Sequence, residues 1–340
     1  YERTGDLETI RGLWPHIQAA LRWIDEYGDL DGDGFVEYAT KSDQGLFNQG
    51  WKDSEDSVFH ADGKLASGPI ALCEVQGYVF AAKRLAARLA GALGLGPLAE
   101  QLRAEAAALQ ERFEAAFWCD DLSTYALALD GAKRPCRVRT SNAGQALLSS
   151  IASPERAELT ARVLMSRDCF SGWGIRTVAE SEMRYNPMSY HNGSVWPHDN
   201  ALIALGFAQY GLSDHIARLF HGMFDATSYM DLRRLPELFC GFRRVPGKGP
   251  TFYPVACSPQ AWASATPFAF LQACLGLSFD PAGERVRFRQ PRLPDFIDQV
   301  VIRKLEVGDS RFDIVLRRYG GDVSVNVLDR RGDGRIAITL

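Results

Sequence analysis

About eight stretches in which apolar residues recur every three or four positions, spread over the first 275 residues, set the class of fold open to this chain. Each must be a helix that buries one face against another helix. In the first, Ile10, Leu13, Ile17, Leu21 and Ile24 share a face, and Pro15 either kinks the helix or marks its first turn. A second runs from Pro69 to Leu89. A third starts at Pro97, a favoured first-turn residue, and repeats Leu98, Leu102, Leu109, Phe113 and Phe117 through alanine-rich sequence. Further helices are predicted near 142–151, over 155–165 behind a Ser153-Pro154 start signal, and at 195–210, 213–227 and 259–275. After Leu277 the texture changes. Short strands are read at 286–289, 300–302, 312–316, 323–327 and 336–338, with Gly320-Gly321 and Gly332-Asp333-Gly334 as hairpin-turn signals between the last three. The expected organisation is an all-α domain over residues 1–282 and a small β-rich appendage over 283–340.

Charge removes whole classes of function. Thirty-eight basic against 42 acidic residues leave a net charge of −4 with no long single-sign run, so no polyanion-binding field is built and nucleic acid is not an expected partner. No stretch approaches about 18 consecutive apolar residues, and the amino end lacks an apolar signal core, so no membrane partner and a cytoplasmic location are expected. The seven scattered cysteines form no C-x-x-C pair and read as reduced, mostly buried thiols. The chain opens on Tyr1, as an excised part of a longer protein would.

The loops carry the chemistry. Segments 28–68, 170–194 and 229–258 are long and rich in aromatic, acidic and histidine residues, which suits the lining of a site. One holds Asn48-Gln49-Gly50-Trp51-Lys52-Asp53-Ser54-Glu55-Asp56-Ser57, and another Leu235-Pro236-Glu237-Leu238-Phe239-Cys240-Gly241-Phe242. Breaking a glycosidic bond needs two carboxyls, one protonated to meet the departing oxygen and one ionised to activate water. On chemistry alone these acids also read as solvated loop charges or helix caps. The third segment combines Trp173 and Arg176 with Tyr190-His191-Asn192-Gly193-Ser194-Val195-Trp196-Pro197-His198-Asp199-Asn200. Its rings suit the apolar faces of a sugar and its polar groups suit hydroxyls.

These segments resemble the bacterial amylo-α-1,6-glucosidase group, relatives of glycogen-debranching enzymes with an (α/α)6 toroid, through NQGWKDSEDS, SGWGIRT, YNPMSYHNGSVWPHDN, LPELFCGF and CSPQAWASATPF over about residues 10–280. The resemblance implies an inverting hydrolase of an α-glucosidic bond. Asp53 would be the general acid, with Asp56 its rival, and Glu237 the general base. His191, Asn192, Trp196, His198 and Asp199 would hold the terminal sugar, with Trp51, Trp173, Arg176, Gln260 and Trp262 nearby. The substrate would be an oligosaccharide or small α-glucoside, and no organic cofactor is implied. Counted against the toroid's twelve helices, the chain lacks the first four, so a missing N-terminal region of the same protein would complete the barrel. Two rival readings are another toroid exo-glycosidase, acting on trehalose, mannosylglycerate or a similar small glycoside, and a carbohydrate-binding module without turnover.

Asp29, Asp31, Asp33 and Glu37 begin like a calcium loop, although Thr40 stands where an EF-hand carries its bidentate Glu. The competing reading is a tight Asp/Gly turn that ends the first helix.

Overall fold

The computed structural model describes residues 1–42, 44–280 and 284–339. Among them are eight α-helices: α1 Leu7–Trp23, α2 Cys73–Ala92, α3 Gly96–Ala116, α4 Asn142–Leu148, α5 Pro154–Leu164, α6 Pro197–Gln209, α7 Ser213–Thr227 and α8 Ala261–Leu275. The Asp6 carboxylate caps α1 by accepting from the Thr9 N–H, satisfying one of the amides a helix start leaves free. Pro15 lies inside α1, so it does not mark the first turn, and the helix continues as a wider π turn over Ile24–Gly28.

The helices form two layers. α2, α4, α6 and α8 pack in succession, while α3, α5 and α7 lie against their sequence neighbours. Sequence explains the division. Most residues of α6 are buried all round, whereas α7 buries one stripe, Ile216, Leu219, Phe220 and Met223. Between the layers Phe113, Phe117, Phe207, Phe239 and Phe270 are fully buried, each stabilising the fold by roughly 1.5–3 kcal/mol relative to exposure. The eight helices fall short of the twelve of a closed (α/α)6 ring. No helix among the described residues is long and apolar enough to cross a membrane.

Four two-residue strands stitch the loops of the helical region: β1 Ala71–Leu72, β2 Trp118–Cys119, β3 Thr124–Tyr125 and β4 Ala128–Leu129, pairing β1 with β4 and β2 with β3. Beyond α8 come β5 Leu277–Asp280, β6 Arg285–Arg289, β7 Gln299–Val307, β8 Ser310–Tyr319, β9 Asp322–Arg331 and β10 Arg335–Thr339, arranged as sheets β10-β6-β5 and β7-β8-β9. Val286, Phe288, Phe312, Ile314 and Leu316 form their common core, onto which Leu271 and Leu275 of α8 also pack. The expected domain boundary at 282/283 lies outside the described residues. Gly320-Gly321 makes the hairpin between β8 and β9. Gly332–Gly334 does not make the second one: β10 leaves β9 and pairs in parallel with β6. The Gly334 N–H donates to Ser310 Oγ at 2.8 Å, anchoring the chain as it crosses from one sheet to the other.

Candidate active site

The acid-bearing loop is built around Asn48. Its buried side-chain amide donates to the carbonyl of Ser54 at 2.8 Å and to Ser57 Oγ at 3.2 Å, and its Oδ1 accepts from the Tyr38 hydroxyl at 2.7 Å. Ser57 Oγ donates to the Lys52 carbonyl at 2.6 Å. These bonds curl residues 48–57 tightly, so that Lys52 is buried while the Asp53 side chain stands 52% exposed.

Four further stretches join in one ladder of extended backbone. Arg176 bridges Val195, Val195 bridges Phe239, and Phe239 bridges Phe252. Val195 and Phe239 exchange N–H to carbonyl bonds of 2.9 and 3.1 Å. Gly241 is required at the edge of this ladder, since a Cβ there would lie 1.7 Å from the Gly193 carbonyl oxygen. The Lys52 ammonium donates to the Thr177 carbonyl at 2.6 Å and ties the acid loop to the same ladder.

The ladder brings Glu237 to Tyr190. The phenol donates to Glu237 Oε1 at 2.7 Å, and the Cys257 N–H donates to Oε2 at 3.2 Å. Tyr190 also neighbours His191, at 4.6 Å between ring centroids, and His191 Nδ1 is 3.9 Å from Asp53 Oδ1. Burial and the hydrogen bond to Glu237 raise the Tyr190 phenol well above its ordinary value, and the Glu237 and Asp53 charges add to it. Glu237 thus meets Tyr190, and Asp53 meets the His191 beside it. The sequence does not single out Tyr190 as a site residue, although it directly precedes the His191-Asn192 pair; a lone tyrosine carries no spacing signal.

Aromatic rings surround this point. His191 stacks on Trp196 at 5.2 Å, Trp51 meets His191, Trp196 and His198 edge-on at 5.1–5.7 Å, and the half-exposed Trp262 stacks on His198 at 3.8 Å with an interplanar angle of 7°. Five buried polar atoms here have no hydrogen-bond partner among the described residues: Trp51 Nε1, Asn192 Oδ1, His198 Nδ1, Asp199 Oδ2 and Gln260 Oε1. The other Asp199 oxygen accepts from Gln145 Nε2 at 2.5 Å.

His191 is held neutral. Burial, with the Lys52 ammonium and His198 beside it, takes its imidazole down to about 3, and Ser54 Oγ lies 2.7 Å from Nδ1. The unfolded chain takes up this proton near pH 6.5 and the folded chain only near 3. The stability this neutrality contributes is thus fully present above pH 6.5 and falls as pH drops towards 3, by about 1.4 kcal/mol per unit. Histidine-selective NMR should show His191 unprotonated down to about pH 4.5; protonation near pH 6 would contradict this arrangement.

Other residues implied by the resemblance lie elsewhere or do other work. Arg176 is fully buried, and its Nε and Nη1 donate to the carbonyls of Gly241 at 2.6 Å and Asp168 at 3.2 Å. It braces the ladder instead of meeting a sugar. Trp173 belongs to the core, with Tyr229 at its edge and the Arg244 guanidinium 4.4 Å over its ring. Asn192 is buried and donates from Nδ2 to the Asp56 carbonyl at 3.1 Å, while its Oδ1 has no hydrogen-bond partner among the described residues.

Asp31, Asp33 and Glu37 do converge, but onto the Lys133 ammonium, 3.0 Å from Asp31, 2.8 Å from Asp33 and hydrogen-bonded to Glu37. Asp29 instead accepts the N–H groups of Gly32 and Gly34. Oxygens of Asp29, Asp31 and Glu37 lie within 4.8 Å of one another, yet Lys133 already supplies the positive charge. The set does not fit calcium unless that lysine leaves.

Residues 1–237, which include both Asp53 and Glu237, match the family described as the mannosylglycerate hydrolase MGH1-like glycoside hydrolase domain. The chain belongs to this family.

Solved structures agree with an MGH1-like fold. A GH63 mannosylglycerate hydrolase from Thermus thermophilus, in complex with Tris, superposes with a TM-score of 0.58 at 18% identity, over 78% of this chain and 70% of the other. A sialidase superposes with a TM-score of 0.74 at 12% identity, over 96% of this chain. A GH78 rhamnosidase from Bacillus sp. GL1 gives 0.66 at 16%, over 99%. The chain spans only 30% of that sialidase and 31% of that rhamnosidase. At these identities the likeness is one of fold. No curated protein matches the MGH1-like chain in sequence.

Proposed function

We propose that this glycoside hydrolase domain cleaves an α-glycosidic bond with inversion. Asp53 protonates the departing oxygen, and Glu237 deprotonates a water on the opposite face of the sugar ring. The observation that carries the reading is the adjacent pair Tyr190 and His191: the phenol hydrogen-bonds Glu237, and the imidazole 4.6 Å away stands 3.9 Å from Asp53, which supports placing both carboxylates at one ring-lined pit. The unpartnered atoms of Trp51, His198, Asp199 and Gln260 offer both donors and acceptors, which hydroxyls of a bound sugar satisfy. Single displacement needs the carboxyls about 6.5–9.5 Å apart, leaving room for the water. Asp53 is preferred to Asp56 because its carboxylate stands 3.9 Å from His191 Nδ1, whereas the contact of Asp56 with Asn192 runs through its backbone carbonyl.

The family points to a small glycoside such as mannosylglycerate. A second reading, an α-1,6-linked oligosaccharide end, draws on the motif resemblance and on the openness of the site, where Asp53 and Trp262 are about half exposed. Incubation with mannosylglycerate, trehalose, isomaltose and panose, followed by proton NMR in the first minutes, tests both. Release of the β-anomer at the attacked carbon is expected from one of the four; from trehalose it would appear with an equal amount of α-glucose, the leaving sugar. Newly formed α-anomer without β-anomer would exclude inversion, and tight sugar binding without release would favour a binding module.

A further inference from the structure

We infer that Lys52 is a positioning residue of this site: its buried ammonium clamps the acid-bearing loop onto the ladder at Thr177 and thereby sets the direction in which Asp53 faces the substrate. The inference rests on the assignment of Asp53 as the acid. Lysine is almost never fully buried unless paired, yet Lys52 is 4% exposed and lies directly before the half-exposed Asp53. One side chain of the dipeptide enters the interior while the next leaves for the cleft.

The lysine is held from several sides. Its Nζ donates to the Thr177 carbonyl across 125 residues of sequence at 2.6 Å and lies 5.1 Å from the centre of the Trp51 ring. Its own carbonyl accepts from Ser57 Oγ. The charged or titratable groups facing it are Asp199 from α6, Glu74 and Cys73 from α2, and His191 from the loop before α6. Asp199 keeps one buried oxygen without a partner among the described residues, so the ammonium charge also steadies a carboxylate at the sugar pit. Glu74 is held by Asn142 Nδ2 at 2.9 Å, and burial raises its pKa, which leaves Asp199 as the main countercharge.

The clamp has a built-in alkaline limit. Burial pulls the Lys52 ammonium down to about 8 against the opposing pull of Asp199 and Glu74. Above that pH the lysine is neutral and Asp199 loses its partner charge. The neutral amine keeps N–H donors for Thr177 but no charge for Asp199, so the hold weakens, and loosening at 51–57 is expected before the remainder of the fold responds.

Amide hydrogen exchange on the wild-type chain tests this without turnover. Protection factors at 51–57, corrected for the intrinsic rate, should fall at least about tenfold between about pH 7 and pH 9 while those of α6 and α8 hold. Equal protection across that range would overturn the inference whatever the enzyme does. In Lys52→Met and Lys52→Gln the same amides should lose protection at neutral pH. On a substrate the wild type cleaves, kcat should drop about 10- to 100-fold with KM within about threefold, and the alkaline limb near pH 8 should vanish. Unchanged kcat and protection in a folded variant would reject the clamp while leaving the hydrolase assignment intact. A wild type that cleaves no glycoside would instead reject the hydrolase assignment and leave exchange to decide the clamp.

Discussion

Asp53→Asn and Glu237→Gln should each lower kcat by about 10²–10⁴-fold, with little change in Tm. Neither substitution alters side-chain volume appreciably, and neither removes a group on which the fold depends. Asp53 is half exposed, and its carboxylate stands clear of the bonds that curl its loop. Glu237 accepts from Tyr190 and the Cys257 N–H, and a glutamine can still accept through its carbonyl oxygen. What each variant loses is the chemistry: a carboxamide at position 53 cannot give up a proton to a leaving oxygen, and a carboxamide at position 237 cannot take one from water. Asp56→Asn is the matched control and should retain most activity. Steady-state kinetics beside thermal melts would decide it. A Glu237→Gln enzyme with full kcat would remove that residue from the mechanism, and an inactive Asp56→Asn with active Asp53→Asn would exchange the two acids.

Arg176→Ala should act on stability and hardly on sugar affinity. The truncation removes the guanidinium donors from the buried carbonyls of Gly241 and Asp168, leaving them only the Tyr185 hydroxyl at 3.3 Å and the Glu180 N–H at 3.0 Å, and opens a cavity beneath the ladder. Together these cost about 3 kcal/mol or more, which in a chain of this length lowers Tm by roughly 4 °C or more. Where the variant is folded, KM should stay near the wild-type value. A large rise in KM with an unchanged Tm would return Arg176 to the sugar pit, as the motif resemblance implies.

The contrast between Arg176 and Glu237 shows how far the sequence could be read. Helices were legible because the three-four spacing of apolar residues is local: α7 at Ser213–Thr227 matches its expected span, and α3 differs by one residue at each end. Residue type drew attention to the loops, and side chains of segments 48–57, 185–200 and 235–242 do lie beside one another. Direction was not legible. Whether Trp173 points to the cleft or the core depends on the Arg176–Val195–Phe239 ladder, and pairing between distant extended segments leaves no period in any one of them. The same holds for Lys133, which fills the acidic loop from 96 residues beyond Glu37. It holds also for Gly332–Gly334, where a proper turn signal is present but the strand after it chooses β6 over β9.

Asp53 and Glu237 should address one glycosidic bond from opposite faces, and the crystal structure of Glu237→Gln bound to an uncleaved α-glycoside tests this most directly. The bridging oxygen is expected within hydrogen-bonding distance of the Asp53 carboxyl, about 2.6–3.2 Å, with a water between the anomeric carbon and the carboxamide introduced at position 237. A sugar seated away from Trp51, His198 and Trp262, or one whose bridging oxygen faces neither of the two side chains, would contradict it.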